Sequence, residues 1–403
     1  MSRSWRHRFP ALIVGACLVA SFPTGAAQKK KPPSEPAPVL LSLPELSGTV
    51  NSQPSGLNDS NVIVGTMWDG AGYGTAVVWI PEPGGWRLQV IEGGWLHPAG
   101  PFPRSVTNDN LVLLNRHGGE TGTYASVWVP NDDFSSGAEI RLPTLGGRCC
   151  SYGEMMADNG LIIGMVSSAT DASGRFSDVL QVVWVPNAAG GWDVFPLEPD
   201  CRDDLGFDVR CEYHAISRSG EWIAGAVARQ ASNGWWGRAA TARISPDGVV
   251  DRFEIAEGGD LPDPADAPVT GAMMVNDWGE SAGYYWPCRP DGTFGCVSEG
   301  AFWDSTGQLS QLPAYRASSH EPVSGANGMN DAGQVVGWAL FKDGRSYERA
   351  AAWWRDPAVA PVKLGVSRPF TSGEAVAVNN SFIAVGQARG TGAPHAVVWI
   401  LPQ

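Results

Sequence analysis

The sequence predicts an all-β fold, a seven-bladed β-propeller of four-stranded blades whose ring is closed by the N-terminal strand. Three observations lead there. A block of about fifty residues recurs along the chain, and a fixed period of this size marks a repeat architecture. Each block carries about four short apolar runs parted by turns, which is the make-up of a propeller blade. The composition, with 50 Gly and 31 Pro, suits many turns, and no stretch has a convincing amphipathic helical period.

The clearest copy spans residues 328–354. Asn330, Asp331 and Gly333 form a turn, residues 334–338 are an apolar run containing Gly337, and a polar loop leads to a second apolar run ending at Trp353 or Trp354. Two short strands around a loop, entered through an Asn-Asp turn, are a local β signal. The corresponding turn residues are Asn58, Asn108, Asp158, Ser217, Asn276, Asn330 and Asn379, spaced 50, 50, 59, 59, 54 and 49 apart. The closing tryptophans are Trp79, Trp128, Trp184, Trp303, Trp353 or Trp354, and Trp399, with Ala242 in the fourth copy. A further apolar run follows each of the first six, at residues 86–91, 139–142, 192–197, 250–255, 308–312 and 362–366.

With the strands of a blade named a to d in chain order, the seventh copy ends after its c strand. Residues 39–43 form an unassigned apolar run that supplies the missing d strand and closes the ring. Closure removes the edges that invite aggregation. The tryptophans are read as packing between blades, and the turn residues as Asn and Asp that tolerate left-handed backbone and bond their own main chain.

These units resemble the extracellular HAF repeats, whose pattern is an Asn-Asp-x-Gly turn, an apolar Val-Gly run and a His-Ala-Phe-like run ending in tryptophan. Asn330-Asp331-Ala332-Gly333 with Val336-Gly337, and His395-Ala396-Val397 with Trp399, fit best. The resemblance implies a secreted repeat protein and brings no catalytic residue with it.

The N-terminus has the form of an export signal. Arg3, Arg6 and Arg8 precede an apolar run over residues 9–22, and Gly25-Ala26-Ala27 is a small-residue cleavage site. Residues 1–27 are therefore expected to be a signal peptide, 28–37 a Lys- and Pro-rich linker, and 38–403 the propeller domain. Lipidation at Cys17 is the competing reading of the same segment. Removing Arg3, Arg6 and Arg8 takes the formal net charge from −13 to −16. An acidic chain with scattered Lys and Arg is a poor partner for nucleic acid, and no later run is long enough to span a membrane. A monomer without cofactor or metal is expected.

Six cysteines follow the signal, an even count that suits disulfides in an exported protein. Cys288 and Cys296 are expected to pair across a hairpin. Cys201 and Cys211 bracket a loop, and Cys149 and Cys150 either form a vicinal bond or cross to that loop.

In this strand order the d–a and b–c loops share one face, and residues unexplained by repetition gather there. They are Trp95, His97, His117, Tyr152, His214, Trp235, Trp236 and His320, with Cys149, Cys150, Asp203 and Asp204 nearby. Aromatic rings beside Asp and His suit a carbohydrate or peptide surface. No Gly-x-Ser-x-Gly, His-Glu-x-x-His or phosphate-loop motif occurs; the one acid–base grouping is Asp203 and Asp204 with His214. The expected function is a binding or scaffold module for a glycan or protein partner. A polysaccharide hydrolase or lyase, which needs two carboxylates about 5–10 Å apart, and a lipid-anchored surface protein are the alternatives.

Overall fold

A computed structural model describes residues 36–91, 102–117, 122–170, 176–197, 209–231, 234–251, 253–256, 269–286, 299–314, 324–343 and 346–403. Residues from Ala37 onward form one compact unit. The described residues hold no helix and make seven four-stranded antiparallel sheets, the blades of a seven-bladed β-propeller.

Each blade begins with its innermost strand. These a strands are Thr49–Leu57, Phe102–Val106, Cys150–Met156, Val209–Ile216, Val269–Val275, Ser324–Met329 and Ser372–Val378. The Asn-Asp turn links strand a to strand b rather than lying within a strand. The seventh blade takes its outer strand from the N-terminus, where Val39–Ser42 pairs antiparallel with His395–Ile400 and Leu40 stands opposite Trp399.

The core is divided among the blade interfaces. Seven clusters of buried apolar residues each join two neighbouring blades. One of them packs Ile63, Val77 and Trp79 of blade 1 on Val385 and Val398 of blade 7, so the first and last repeats are neighbours. A chain this long keeps a buried core because every blade packs on two others.

The c-strand tryptophans sit in these interfaces, almost wholly buried. Four donate their indole N–H to a carbonyl just after the outer strand of the preceding blade. Trp79 donates to Pro44 (2.8 Å), Trp184 to Pro143 (2.8 Å), Trp354 to Pro313 (2.9 Å) and Trp399 to Gly365 (2.8 Å). Trp354, rather than Trp353, is thus the repeat's closing tryptophan.

Every a strand carries a β-bulge at the same position. The unpaired residues are Ser55, Arg104, Glu154, His214, Met273, Asn327 and Val376. The bulge explains the glycine of the Val-Gly run. At Gly65, Gly164, Gly225, Gly283, Gly337 and Gly386 a Cβ would collide with a backbone carbonyl of strand a. Blade 2 has Leu114 there, buried between blades.

The turn residues need two corrections. Equivalent backbone bonds place Asn58 in register with Thr107, Ala157, Ser217, Asn276, Asn330 and Asn379, so Asn108 and Asp158 belong one position further on. The left-handed residue is not the leading Asn. It lies three places later, at Asn61, Asn110, Gly160, Gly220, Gly279, Gly333 and Phe382. The leading Asn instead holds its own turn, as when Asn58 Oδ1 accepts from Val62 N at 2.9 Å.

Candidate functional site in the central channel

The seven a strands surround a central channel, and equivalent residues form layers along it. At the turn end the second turn residues form a ring of Asp59, Asn108, Asp158, Arg218, Asp277, Asp331 and Asn380. Their side chains and amides make a hydrogen-bonded loop through all seven blades. Asp59 N donates to Asn108 Oδ1 (2.9 Å), Asn108 N to Asp158 Oδ1 (2.7 Å), Asp277 N to Asp331 Oδ1 (3.1 Å), Asp331 N to Asn380 Oδ1 (3.0 Å) and Asn380 N to Asp59 Oδ1 (2.9 Å). Blade 4 alone has a cation here. The loop passes through it by Asp158 N to the Arg218 carbonyl (2.8 Å) and Ser219 N to Asp277 Oδ1 (2.7 Å).

This frees the Arg218 side chain to cross the mouth. Its Nη2 donates to the Leu57 carbonyl of blade 1 (3.0 Å) and its Nη1 to Asn108 Oδ1 of blade 2 (3.2 Å), while Nε lies 3.7 Å from Asp59 Oδ2. Blade 1 is three places from blade 4 in a ring of seven, so the guanidinium spans the opening. Burial pushes the Asp158 carboxyl above its usual range, against the Asn108 amide and the Arg218 charge.

Inside the mouth comes an apolar girdle, one side chain from every blade: Leu57, Val106, Met156, Ile216, Val275, Met329 and Val378. Next is the bulge row. A bulge re-aims a side chain out of the ladder, and here three successive blades present Arg104, Glu154 and His214. Arg104 Nη2 lies 2.8 Å from Glu154 Oε2, and its guanidinium carbon stands 5.5 Å from the centre of the Tyr152 ring. Burial holds the His214 imidazole below its usual range, with the carboxylates of Glu212 and Glu154 pulling the other way. Burial likewise pushes the Tyr152 phenol up, opposed by Arg104.

Two residues before each bulge lies the last layer, towards the d–a and b–c loops. Strand a supplies Gln53, Phe102, Tyr152, Glu212 and Glu374 here, but only glycine at 271 and 325. Those two gaps are filled from strand b by the rings of Tyr284 and Trp338, which occupy the space a Cβ would need. Phe102 is 6.3 Å from Trp68, Tyr284 is 5.0 Å from Trp286, and Arg349 stacks 3.8 Å over Trp338 while pairing with Glu374 at 3.1 Å. The loop end of the channel is thus rimmed by two pairs of half-buried aromatic rings, Phe102 with Tyr152 and Tyr284 with Trp338, parted by the carboxylates Glu212 and Glu374.

Of the residues singled out from the sequence, Tyr152 and His214 meet in this channel, on a strands rather than loops. His117 ends a strand, Val112–His117, and Trp235 and Trp236 lie in Gly234–Arg243, paired with Gln230 and Arg229. Trp95, His97, His320, Asp203, Asp204, Cys201, Cys288 and Cys296 fall outside the described residues. Cys149 and Cys150 stand at disulfide distance as a vicinal pair, and Cys211 is buried between blades 3 and 4. Among the described residues no three His, Cys, Asp or Glu side chains come together to hold a metal ion, and no helix is long and apolar enough to cross a membrane. Sequence reasoning passed over Arg104, Glu154, Tyr284 and Trp338. Once the copies are aligned on the turn, the bulge position stands out as the one inner-strand place where residue type is not repeated.

No family model and no curated protein sequence matches the chain. Solved structures do. The propeller domain of the Trilobed protease from Pyrococcus furiosus, described as having an open velcro topology, aligns with a TM-score of 0.52 at 10% identity over 87% of this chain and 95% of that one. The acylaminoacyl peptidase of Pyrococcus horikoshii aligns with a TM-score of 0.51 at 10% identity, covering 87% of this chain and 51% of the peptidase. The polysaccharide lyase Uly1 aligns with a TM-score of 0.49 at 8% identity over 90% of this chain and all of the lyase. At 10% identity the first two alignments show a shared fold alone.

Proposed function

We propose that the protein is an exported binding module that grips a glycan at the loop end of its channel. The observation that carries this reading is the rim made by Tyr152, Tyr284, Trp286 and Trp338 with Glu212 and Glu374. Aromatic faces cover the apolar side of a sugar ring, and fixed carboxylates accept from its hydroxyls. Export rests on the N-terminal signal, with cleavage near Ala27.

The test is a glycan and cell-envelope array probed with the purified chain. Binding is expected to fall at least tenfold, about 1.4 kcal/mol, in Trp338→Ala and Tyr284→Ala, and to persist in Trp278→Ala, whose indole is 66% exposed at the opposite mouth. Loss only in the Trp278 variant, or a silent array, overturns the reading.

A second reading, an enzyme cleaving the same class of polymer, draws support from His214, which feels the carboxylates of Glu154 and Glu212, in the same bulge row as Arg104 and Glu154, with Arg104 over Tyr152. A neutral imidazole and a phenol suit general base and acid chemistry. New reducing or unsaturated ends in an incubated polysaccharide, absent with His214→Gln, identify this activity.

A further inference from the structure

The loop end of the channel already seats two cations on aromatic faces. The Arg104 guanidinium carbon stands 5.5 Å from the centre of the Tyr152 ring, and its Nη2 lies 2.8 Å from Glu154 Oε2. The Arg349 guanidinium carbon stands 3.8 Å over the Trp338 ring, and its Nη2 lies 3.1 Å from Glu374 Oε2. The same combination, a ring and a carboxylate around one cation, is thus built twice. A guanidinium or ammonium over an aromatic face is held by the ring quadrupole, best of all by that of tryptophan.

A third aromatic group of the rim is Tyr284 with Trp286. Their ring centres are 5.0 Å apart, and among the described residues no guanidinium or ammonium stacks on them. Trp286 is 41% exposed, so its ring is open to a ligand. Burial pushes the Tyr284 phenol above its usual range, and the charge of Glu212 on the neighbouring blade adds to that shift, so the carboxylate bears on this pair. Charge over the wider site points the same way. Along the inner strands the bulge row and the loop-end layer carry the carboxylates Glu154, Glu212 and Glu374 against the single guanidinium of Arg104. Arg104 and Arg349 are each paired with a carboxylate, so neither offers an acidic polymer an uncompensated charge. The whole chain has a formal net charge of −13, which draws cations towards it.

We propose that the glycan held at this rim is cationic, a polymer of amino sugars whose free ammonium group sits over Tyr284 and Trp286 under the charge of Glu212. The ligand supplies at this third position what Arg104 and Arg349 supply at the other two. The inference rests on the glycan reading of the rim and adds to it the class of sugar.

The experiment measures, by titration calorimetry on the full chain, the affinity for hexamers of glucosamine, N-acetylglucosamine and galacturonate and for a lysine hexapeptide. It is run at about pH 6, where the amines are protonated and the carboxylates ionised. The glucosamine hexamer is expected to bind at least about tenfold more tightly than its N-acetylated form, and this advantage to shrink with added salt. Trp286→Leu and Glu212→Gln are each expected to cut the advantage several-fold. Equal or tighter binding of the N-acetylated or galacturonate hexamer in the unaltered chain overturns the inference and leaves the rim reading standing. So does an advantage that neither substitution changes. Tighter binding of the lysine peptide overturns it in favour of a basic protein partner. Failure of all three oligosaccharides overturns it too, and the rim reading falls with it only where the glycan array is silent as well.

Discussion

The side-chain amide of Asn379 donates to the carbonyl of Asn58, 321 residues away, at 2.8 Å. It repeats the bond that Asn58 makes to Thr107 (2.8 Å) and Asn330 makes to Asn379 (3.1 Å), so the last blade meets the first as blade 1 meets blade 2 and blade 6 meets blade 7. Asn379 also donates to Asn61 Oδ1 (2.7 Å), a part-buried bond, and accepts from Ile383 N (2.9 Å), a buried one. Asn379→Ala leaves several buried groups unpaired and is expected to cost about 1–3 kcal/mol. Urea unfolding measures it, and Asn379→Asp, which sets a buried carboxylate against the Asn58 carbonyl and Asn61 Oδ1, should cost at least as much.

Gly337 faces the carbonyl of Gly325 at the bulge of blade 6, where a Cβ has no room. Gly337→Ala must push strands a and b apart. It is expected to destabilise by about 1–3 kcal/mol, seen as a lowered denaturation midpoint, although alanine is the better residue by backbone entropy alone.

Tyr213 offers a change of the opposite sign. Its ring packs 5.1 Å from Phe253 between blades 3 and 4, but its hydroxyl is buried with no partner among the described residues, and burial pushes the phenol well above its usual range. Tyr213→Phe removes an unpaired polar group and keeps the ring. A gain of about 1 kcal/mol is expected; a loss in thermal or chemical unfolding refutes it.

His214 sets a pH dependence. Its folded pKa lies below the ordinary value of 6.5, mainly through burial. A depressed imidazole gives stability that is complete above the unfolded value and is lost as the pH falls through the folded one. Melting temperature should therefore drop from about pH 7 to about pH 5, and His214→Gln should make that drop shallower. Equal slopes would exclude His214 as a contributor.

Alignment of the copies shows where sequence reasoning reached and where it stopped. The run at residues 39–43 was legible as a spare strand because the seventh copy lacked one, and Val39–Ser42 does pair with His395–Ile400. The turn register was misjudged at Asn108 and Asp158, since two adjacent turn positions both favour Asn and Asp and only the backbone bonds separate them. Arg218 passed unremarked because its partners Leu57 and Asn108 lie 161 and 110 residues away.

Blade number, strand order and interblade core are legible in the amino-acid sequence, because these follow from local periodicity and from apolar side chains that must be buried wherever the blades meet. The channel is visible in the folded ring alone. Its layers join residues about one repeat apart across the axis, and a side chain's value there depends on what six other blades place opposite it. Arg104 beside Glu154 and Arg218 across the mouth are such pairings, set by the geometry of the ring and by no local pattern.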